Sequence, residues 1–296
     1  MGAVKNNPGL QASNHFFVRY SGVPVVYVES EEDSYIFGEC WFKEHLSRLE
    51  FQSVANRSGG NSTSGCKAVI HAVDEERRSG NPAWGIVDRD AVMSEERWDL
   101  VYETDDSHFD LSLPFGQRVK VLRRWEIESY LVDADLLEQY RSELFMQVPR
   151  SSAEVWSELL ADCQALIPHA ALNATYHVYK KAGLGDGRTD SFKNRQEVEA
   201  RLVENILTSL AKHHSDCREM YAQHLSQVEA FDSTETPLAP RVQSLLRRVH
   251  GKAILSRFKS RNQIRDDFPG QLAARIKAAG GVPEELSDFV QMAMNS

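Results

Sequence analysis

The sequence predicts an α/β fold in which a mostly parallel sheet flanked by helices is followed by an α-helical region. Over the first 134 residues, short β-branched runs alternate with helix-length segments, a pattern typical of parallel strands joined by crossover helices. Beyond residue 134 the strand-like runs stop and helical periodicity takes over. We therefore expect an α/β domain over residues 1–134 and an α-helical domain over residues 135–296.

Four short runs have the composition of buried strands. They are PVVYVES (24–30), EFQSV (50–54), AWGIVD (83–88) and RVKVL (118–122). Between the strands, residues 32–49 and 66–80 carry apolar side chains at helical spacing. In parallel sheets the chemistry lies at the carboxyl ends of the strands, so we expect Glu29 and Asp88 on one edge of the sheet.

The second half of the chain predicts helices over residues 132–148, 152–167, 195–225 and 239–261. A glycine-containing segment, residues 180–194, predicts a flexible break between two of them. The apolar faces of these helices offer a surface for a homodimer. We expect this part to serve dimerisation, or the binding of substrate or a partner.

Composition places the chain among ordinary globular proteins, with 42% hydrophobic and 26% charged residues. The apolar run VPVVYV near the N-terminus is too short to span a bilayer, and no signal-like stretch opens the chain. We expect a cytoplasmic protein with no membrane partner. Its cysteines, at positions 40, 66, 163 and 217, lack zinc-type spacing, and the adjacent pair His213 and His214 predicts surface residues.

The charge is unevenly distributed along the chain. The net charge of −9 argues against a general nucleic-acid coat protein. Residues 241–277, however, hold ten Lys or Arg residues against two acids, Asp266 and Asp267. An acidic site beside a basic surface suits an enzyme that holds metal ions and acts on a polyanion. The alternative is a solvated helical face.

Carboxylates gather near the predicted strand ends. They are Glu29 with Asp33, Asp88 with Asp90, and Glu126 with Glu128, and Lys252 is the one basic member of the set. Converging carboxylates repel each other unless cations neutralise them, and hard oxygen ligands suit Mg²⁺ or Mn²⁺. Two such ions can activate a water and stabilise the leaving oxygen of a phosphodiester, while a lysine stabilises charge on the phosphate.

Each of these features also has a simpler explanation. Asp88 and Asp90 can form a turn or an N-cap, although in an extended chain both side chains would point the same way. Exposed acids at a helix start explain Glu31 and Glu32. In the EIE stretch (126–128), Ile127 can face inward and leave both glutamates in solvent. Lys252 can be one more surface base.

The order of these motifs resembles the TOPRIM domain of topoisomerases, primases and OLD-family nucleases. The matching stretches are VESEED (28–33), GGNS (59–62), GIVDRD (85–90), WEIESYL (125–131) and HGK (250–252). The resemblance implies that Glu29 is a metal-binding or acid/base residue and that Asp88 and Asp90 bind metal. Glu128 would be a further ligand, Asp33 a weaker candidate, and Lys252 the basic residue of OLD-type sites. Ser30 and Ser129 stand where the family usually has glycine and asparagine.

Within this family the chain is similar to AriB, the TOPRIM effectors of PARIS anti-phage systems. That similarity implies a dimeric Mg²⁺- or Mn²⁺-dependent endonuclease that attacks host RNA, tRNA included, rather than DNA. It also implies an AriA-like partner ATPase that holds the effector until a phage trigger releases it. No Walker motif occurs in this chain, so ATPase activity would belong to the partner.

Two other functions fit the same residues. The stretch DRDAV (88–92) also matches the DxDx[TV] motif of haloacid-dehalogenase-type phosphatases, in which Asp88 would be the nucleophile and Asp90 the general acid/base. That motif normally lies on the first strand of the chain, whereas PVVYVES precedes it here. Phosphatases of this type are also expected to have a later acidic pair after a hydrophobic strand, but the acidic pair in RDDF (265–268) follows a basic helix. A non-catalytic TOPRIM-like module that binds a partner or nucleic acid is the third hypothesis.

Overall fold

A parallel sheet of four short strands forms the centre of the molecule. The structure, a computed structural model, describes residues 22–56, 65–184, 192, 194–265 and 268–296. The strands follow the order β2-β1-β3-β4, and every neighbouring pair is parallel. The predicted α/β class is therefore confirmed, with these strand bounds: β1 Val25–Val28, β2 Glu50–Ser53, β3 Ala83–Val87 and β4 Val119–Val121.

Helices cover both faces of the sheet because strand side chains alternate between two apolar cores. Tyr27 and Val119 belong to one core. The covering helices on that side are α2 (Cys66–Arg78), α3 (Ala91–Ser94), α4 (Trp98–Val101) and α5 (Asp106–Leu111). Val26 and Ile86 belong to the other, larger core.

The larger core is built mainly by helices of the second half of the chain. Their bounds are α6 Ala134–Phe145, α7 Ser152–Lys180, α8 Arg195–Val198, α9 Glu204–Ala211, α10 Cys217–Glu229, α11 Leu238–Leu245, α12 Gly251–Arg261, α13 Pro269–Ala278 and α14 Glu284–Met294. Trp84 of β3 packs edge-on against Phe289, with ring centroids 5.4 Å apart. Its Nε1 donates to Ser296 Oγ at 3.1 Å. Residues on both sides of position 134 thus share one core, and the division into two domains stays a prediction.

The segment over residues 32–49 differs from the single helix that its spacing predicts. It comprises helix α1 (Glu31–Tyr35), a π-helical turn (Ile36–Trp41) and a 3₁₀ turn (Lys43–His45). Phe37 stacks on the rings of Phe42 and Phe51, and Trp41 Nε1 donates to Ala273 O at 3.0 Å. The wider π turn brings these aromatic rings into one cluster, so tertiary packing overrides the local helical pattern.

Two other predicted helices are broken. Residues 195–225 divide into α8, a π-helical turn, α9 and the start of α10, and residues 239–261 divide into α11 and α12. The second break, over residues 246–250, turns Arg248 into the core, where it is 1% exposed. Most of the predicted break over residues 180–194, together with GGNS and the acids of RDDF, lies outside the described residues.

The remaining expectations concern cysteines, histidines and membrane contact. All four cysteines are free thiols. His213 is exposed as predicted, whereas His214 is partly buried and stacks on Tyr179 with ring centroids 4.4 Å apart. Across the described ranges, the structure contains no helix with both the length and the apolar character that crossing a bilayer requires.

Candidate functional site

Glu29 and Asp88 meet where β1 and β3 end. The two strands are parallel neighbours, so the residues that follow them lie at the same edge of the sheet. The backbone N–H of Asp88 donates to Glu29 Oε1 at 3.0 Å. Burial, reinforced by the charge of Asp90, raises the pKa of Glu29 to about 8. Burial and the neighbouring Glu29 also raise the pKa of Asp88 well above its ordinary value.

Asp90 lies in a helical turn and not in extended chain, contrary to the expectation from its spacing. Its φ and ψ are −64° and −16°, and it occupies the N-cap position of α3 without making a side-chain capping bond. Because the Asp90 carboxylate makes no capping bond, an N-cap role does not account for an acid at this position. Burial raises the pKa of Asp90 to about 6, although the nearby His250 opposes the shift.

Arg89, between the two aspartates, has a structural role. Its side chain is fully buried and stacks over the Phe109 ring at 4.3 Å. The guanidinium donates to the carbonyl oxygens of Arg123, Leu100 and Glu103 at 2.5, 2.9 and 2.6 Å. Arg89 thereby links the turn after β3 to residues 100–103 and to Arg123, which follows β4.

Glu126 is held from two sides by the HGK stretch. Its Oε1 accepts a hydrogen bond from the Lys252 backbone N–H at 2.6 Å, and its Oε2 lies 3.3 Å from His250 Nδ1. Burial acts to raise the pKa of Glu126, but His250 and the Lys252 N–H outweigh burial, and the net shift is downward. Glu126 is therefore the carboxylate of this site that most readily keeps its charge.

Glu128 is buried beside the lysine of the same stretch. Only 7% of the residue is exposed, and its Oε1 lies 3.5 Å from Lys252 Nζ. Burial and the charge of Glu126 raise the pKa of Glu128 to about 7. The alternative in which Glu126 and Glu128 face solvent is wrong, because the EIE stretch leads into a 3₁₀ helix (Ile127–Leu131) and not through an exposed strand.

Gly251 allows the HGK and EIES stretches to meet. A Cβ at Gly251 would lie 2.3 Å from Ser129 N and 2.6 Å from Ser129 Oγ. No larger residue fits at the start of α12 unless that helix moves away from the 3₁₀ helix. The close approach also leaves Ser129 Oγ buried with no hydrogen-bond partner in the described part of the chain.

Ser30 caps α1. Its Oγ accepts from the Asp33 N–H at 3.1 Å, and Asp33 Oδ2 accepts from the Ser30 N–H at 3.0 Å. This is a reciprocal capping box. Burial raises the pKa of Asp33 to about 6 against these bonds. Because its carboxylate is engaged in the cap, Asp33 remains the weaker ligand candidate.

Two residues beside the acids were not assigned a role from the sequence. The ring of His250 packs edge-on against Trp125, with centroids 5.5 Å apart. The guanidinium of Arg248 lies over the Tyr102 and Trp125 rings at 5.0 and 4.5 Å. His250 belongs to the HGK stretch, so the sequence did contain a signal that it lies at the site. The sequence contained no such signal for Arg248, because the helical periodicity does not show the break between α11 and α12 that buries this residue.

The basic stretch over residues 241–277 does not form the continuous basic surface expected from its charge. Most of its cations pair with acids elsewhere: Arg241 with Asp232, Arg247 with Asp106, Arg257 and Arg261 with Asp162, Arg275 with Glu143, and Lys277 with Glu44. Arg257 is buried, whereas Arg261 and Lys277 keep 38% of their side chains exposed, so the alternative of a solvated helical face is wrong only for part of this stretch. Lys252 and Lys259 instead line one groove.

The carboxylates of the site suit a hard divalent cation that binds one or two of them at a time. Among the described residues, no three His, Cys, Asp or Glu side chains already converge in an arrangement that could hold a metal ion. Mg²⁺ commonly keeps several waters and takes one or two carboxylates plus substrate phosphates. Raised pKa values at Glu29 and Asp88 mean that protons compensate the buried charge where no cation does. One or two of the predicted ligands Glu29, Asp88 and Asp90 would hold the ion, and waters would complete its coordination.

Comparisons of the chain with protein-family models, curated proteins and solved structures find no match in any of the three. The TOPRIM resemblance therefore stays a prediction. What is known of the site rests on the geometry described above.

Proposed function

We propose that this chain is a TOPRIM-type nuclease that depends on Mg²⁺ or Mn²⁺ and cleaves phosphodiester bonds. One observation carries the proposal: acids that follow three strands, together with Lys252, gather at the carboxyl edge of one sheet. Glu29 contacts the Asp88 backbone, and Glu126 contacts the Lys252 backbone. Buried acids with raised pKa values in one place are typical of functional sites.

The residues of the site have separate tasks in this proposal. A bound divalent ion supplies a water of lowered pKa and neutralises phosphate charge. Glu29, Asp88 and Asp90 are the predicted ligands that would hold this ion at the strand ends. Glu126, kept ionised by His250, positions the start of α12. Lys252 has a side chain 59% exposed, so its ammonium can reach a phosphate oxygen while it pairs with Glu128.

The biological setting of the proposal comes from the resemblance alone. By similarity to AriB-type effectors, we propose a cytoplasmic homodimeric toxin of an anti-phage system. Its substrate would be host RNA such as tRNA, and an AriA-like ATPase would restrain it until a trigger releases it.

The test is metal-dependent cleavage by the purified chain. Total tRNA, single-stranded DNA and plasmid are incubated with Mg²⁺, Mn²⁺ or EDTA. We expect cutting only with metal, a loss of at least about 100-fold in Asp88→Asn and Glu29→Gln, and activity within about twofold of wild type in the matched control Glu31→Gln. Glu31 is exposed on the first turn of α1.

Other outcomes of this test support the alternative functions. An acyl phosphate on Asp88, with activity retained in Glu29→Ala, would identify a haloacid-dehalogenase-type phosphatase. Binding of nucleic acid without cutting, unchanged in both variants, would identify a non-catalytic module. Calorimetric titration with Mg²⁺ would then show whether the acids bind an ion.

A further inference from the structure

The break between α11 and α12 presents basic side chains at alternate positions. Arg248 and His250 lie in the break, and Lys252 lies in the first turn of α12. We call these three residues the cation row. The Trp125 N–H donates to Leu246 O at 2.9 Å, so the break is fastened to the loop after β4. The cation row is thereby brought to the acids that follow β3 and β4.

Two members of the cation row contact the two glutamates of the EIE stretch. Lys252 Nζ lies 3.5 Å from Glu128 Oε1. His250 Nδ1 lies 3.3 Å from Glu126 Oε2, and Glu126 Oε1 also accepts from the Lys252 N–H at 2.6 Å. Both carboxylates thus have a basic side chain of the same chain as their counter-charge.

The third member, Arg248, acts on Asp90. Its side chain is buried between the rings of Tyr102 and Trp125, and an arginine stays charged in such a place. Burial raises the pKa of Asp90, and the charges of His250 and Arg248 oppose that rise. Asp90 in turn favours the charged guanidinium. The cation row therefore supplies a counter-charge to Asp90 as well.

The acids that follow β1 and β3 have different surroundings. Glu29 Oε1 accepts from the Asp88 N–H at 3.0 Å. Burial is the main cause of the raised pKa of Asp88, and the negative charges of Glu29, Asp33, Asp90 and Glu126 add to it. A divalent cation gains most from the potential of several acids at such a point.

We infer that the site binds one divalent ion, held by Glu29 and Asp88 together with water, and that the cation row takes the place of a second ion. The inference rests on the proposed nuclease function, because it says how that site is charged. A second ion beside the acids that face the cation row would lie next to three basic side chains and be repelled.

A single ion also agrees with the donor geometry. Mg²⁺ commonly takes one or two carboxylates and keeps several waters, and within the described ranges no three His, Cys, Asp or Glu side chains converge on one point. Lys252, whose side chain is 59% exposed, then stabilises the charge on the phosphate that a second ion would otherwise stabilise.

The test counts the Mn²⁺ ions bound to the full-length chain by electron paramagnetic resonance of the free ion. We expect about one Mn²⁺ per chain in wild type, with binding weakened at least about tenfold in Asp88→Asn. As a second readout, the cleavage rate should rise with Mg²⁺ concentration with a Hill coefficient of about one.

Removing charge from the cation row should open a place for a second ion. The double variant Arg248→Met/Lys252→Met should bind about two Mn²⁺ per chain, since Met keeps an apolar side chain between the two rings. If the double variant does not fold, Lys252→Met alone tests the same point. The matched control Arg97→Met/Lys212→Met removes the same charges at surface positions and should bind about one ion.

The outcomes separate the ion count from the nuclease function. Two ions per wild-type chain, an ion that Asp88→Asn retains, or equal counts in the Lys252 variants and their control overturn the inference, and metal-dependent cutting then leaves the nuclease standing. One ion that is lost in Asp88→Asn, with no cutting of any nucleic acid, overturns the nuclease and keeps the ion count. No Mn²⁺ binding at all overturns both.

Discussion

The backbone N–H of Lys252 donates to Glu126 Oε1 at 2.6 Å although the residues are 126 positions apart. This bond joins the loop after β4 to the first turn of α12. It sets the side chain of Lys252 beside Glu128 and at the mouth of the groove. The contact explains why an acidic sheet edge and a distant basic helix form one site.

Gly251→Ala should separate these two elements. A Cβ at this position meets the Ser129 backbone at 2.3 Å, so α12 must shift and the Lys252–Glu126 bond must lengthen. We expect a loss of about 2 kcal/mol in the free energy of unfolding, as is usual for overpacking, measured by urea denaturation, with cleavage reduced more than the remaining folded fraction explains. Gly183→Ala is the control, because within the described ranges its Cβ would meet only Asn173 Oδ1, at an ordinary contact distance of 3.8 Å. Equal stability of the two variants would contradict this prediction.

Glu29→Gln should remove part of the pH dependence of stability in the absence of metal. Burial raises the pKa of Glu29 from 4.5 to about 8, so the fold favours the protonated carboxyl. The stability from this group is full below about pH 4.5 and is lost as pH rises to about 8. Gln keeps an oxygen that accepts from the Asp88 N–H and carries no charge. In EDTA we expect Glu29→Gln to gain about 3 kcal/mol over wild type between pH 5 and pH 8.

The check on Glu29→Gln is urea denaturation across that pH range, with Glu31→Gln as control. The control should run parallel to wild type, because Glu31 is exposed on the first turn of α1. A constant difference between Glu29→Gln and wild type at every pH would show that burial does not hold this carboxyl protonated.

Arg89→Met should destabilise the turn that carries Asp88 and Asp90. The change leaves three carbonyl oxygens without their donor, and buried groups that lose a partner cost about 1 to 3 kcal/mol each. We expect a total loss of about 3 kcal/mol, measured as the shift in urea midpoint. Arg97→Met is the control, since Arg97 pairs with Asp99 at an exposed position. A loss below about 1 kcal/mol would mean that the turn does not depend on Arg89 for its stability.

His224→Gln should make the protein more resistant to acid. His224 is 7% exposed, and its Nδ1 lies 2.6 Å from the Tyr102 hydroxyl. Burial, with the charge of Arg248, lowers the pKa of His224 from 6.5 to about 4. The neutral ring is favoured in the fold, so this stability is present above about pH 6.5 and is lost as pH falls towards about 4.

Thermal unfolding at pH 7 and pH 4.5 measures this effect. Wild type should lose about 2 kcal/mol more than His224→Gln over that interval. His71→Gln is the control, because the His71 side chain is 68% exposed. If His224→Gln and wild type respond alike, the fold does not lower the pKa of His224.

The sequence allowed the sheet to be predicted because strand signals are local. Runs such as PVVYVES and AWGIVD carry enough β-branched and apolar residues to mark β1 and β3. Parallel pairing then follows from the helical segments between them. The placement of Glu29 and Asp88 at one edge followed from the parallel pattern, because the carboxyl ends of parallel strands lie at the same edge. That β1 and β3 are neighbours, so that the two acids meet, is known only from the structure.

The remainder of the site depended on contacts between distant segments. The break between α11 and α12 has no mark in the helical periodicity, and Gly251, which follows the break, packs closely on Ser129. The charge of Arg257 and Arg261 looked available in the sequence, but Asp162, some 95 residues away, pairs with both, and Glu158 pairs with Arg261 as well. Net charge over a stretch says how many cations are present, and not which of them meet an acid.

The sequence by itself thus determined the α/β class, the four strands and the carboxylates at their ends, because each follows from local periodicity and the rules of parallel sheets. Only the tertiary structure decided that Asp90 sits in a helical turn, that Glu126 stays ionised beside His250, and that Lys252 joins the acids. These outcomes depend on burial and on hydrogen bonds between distant segments, and both exist only in the folded chain.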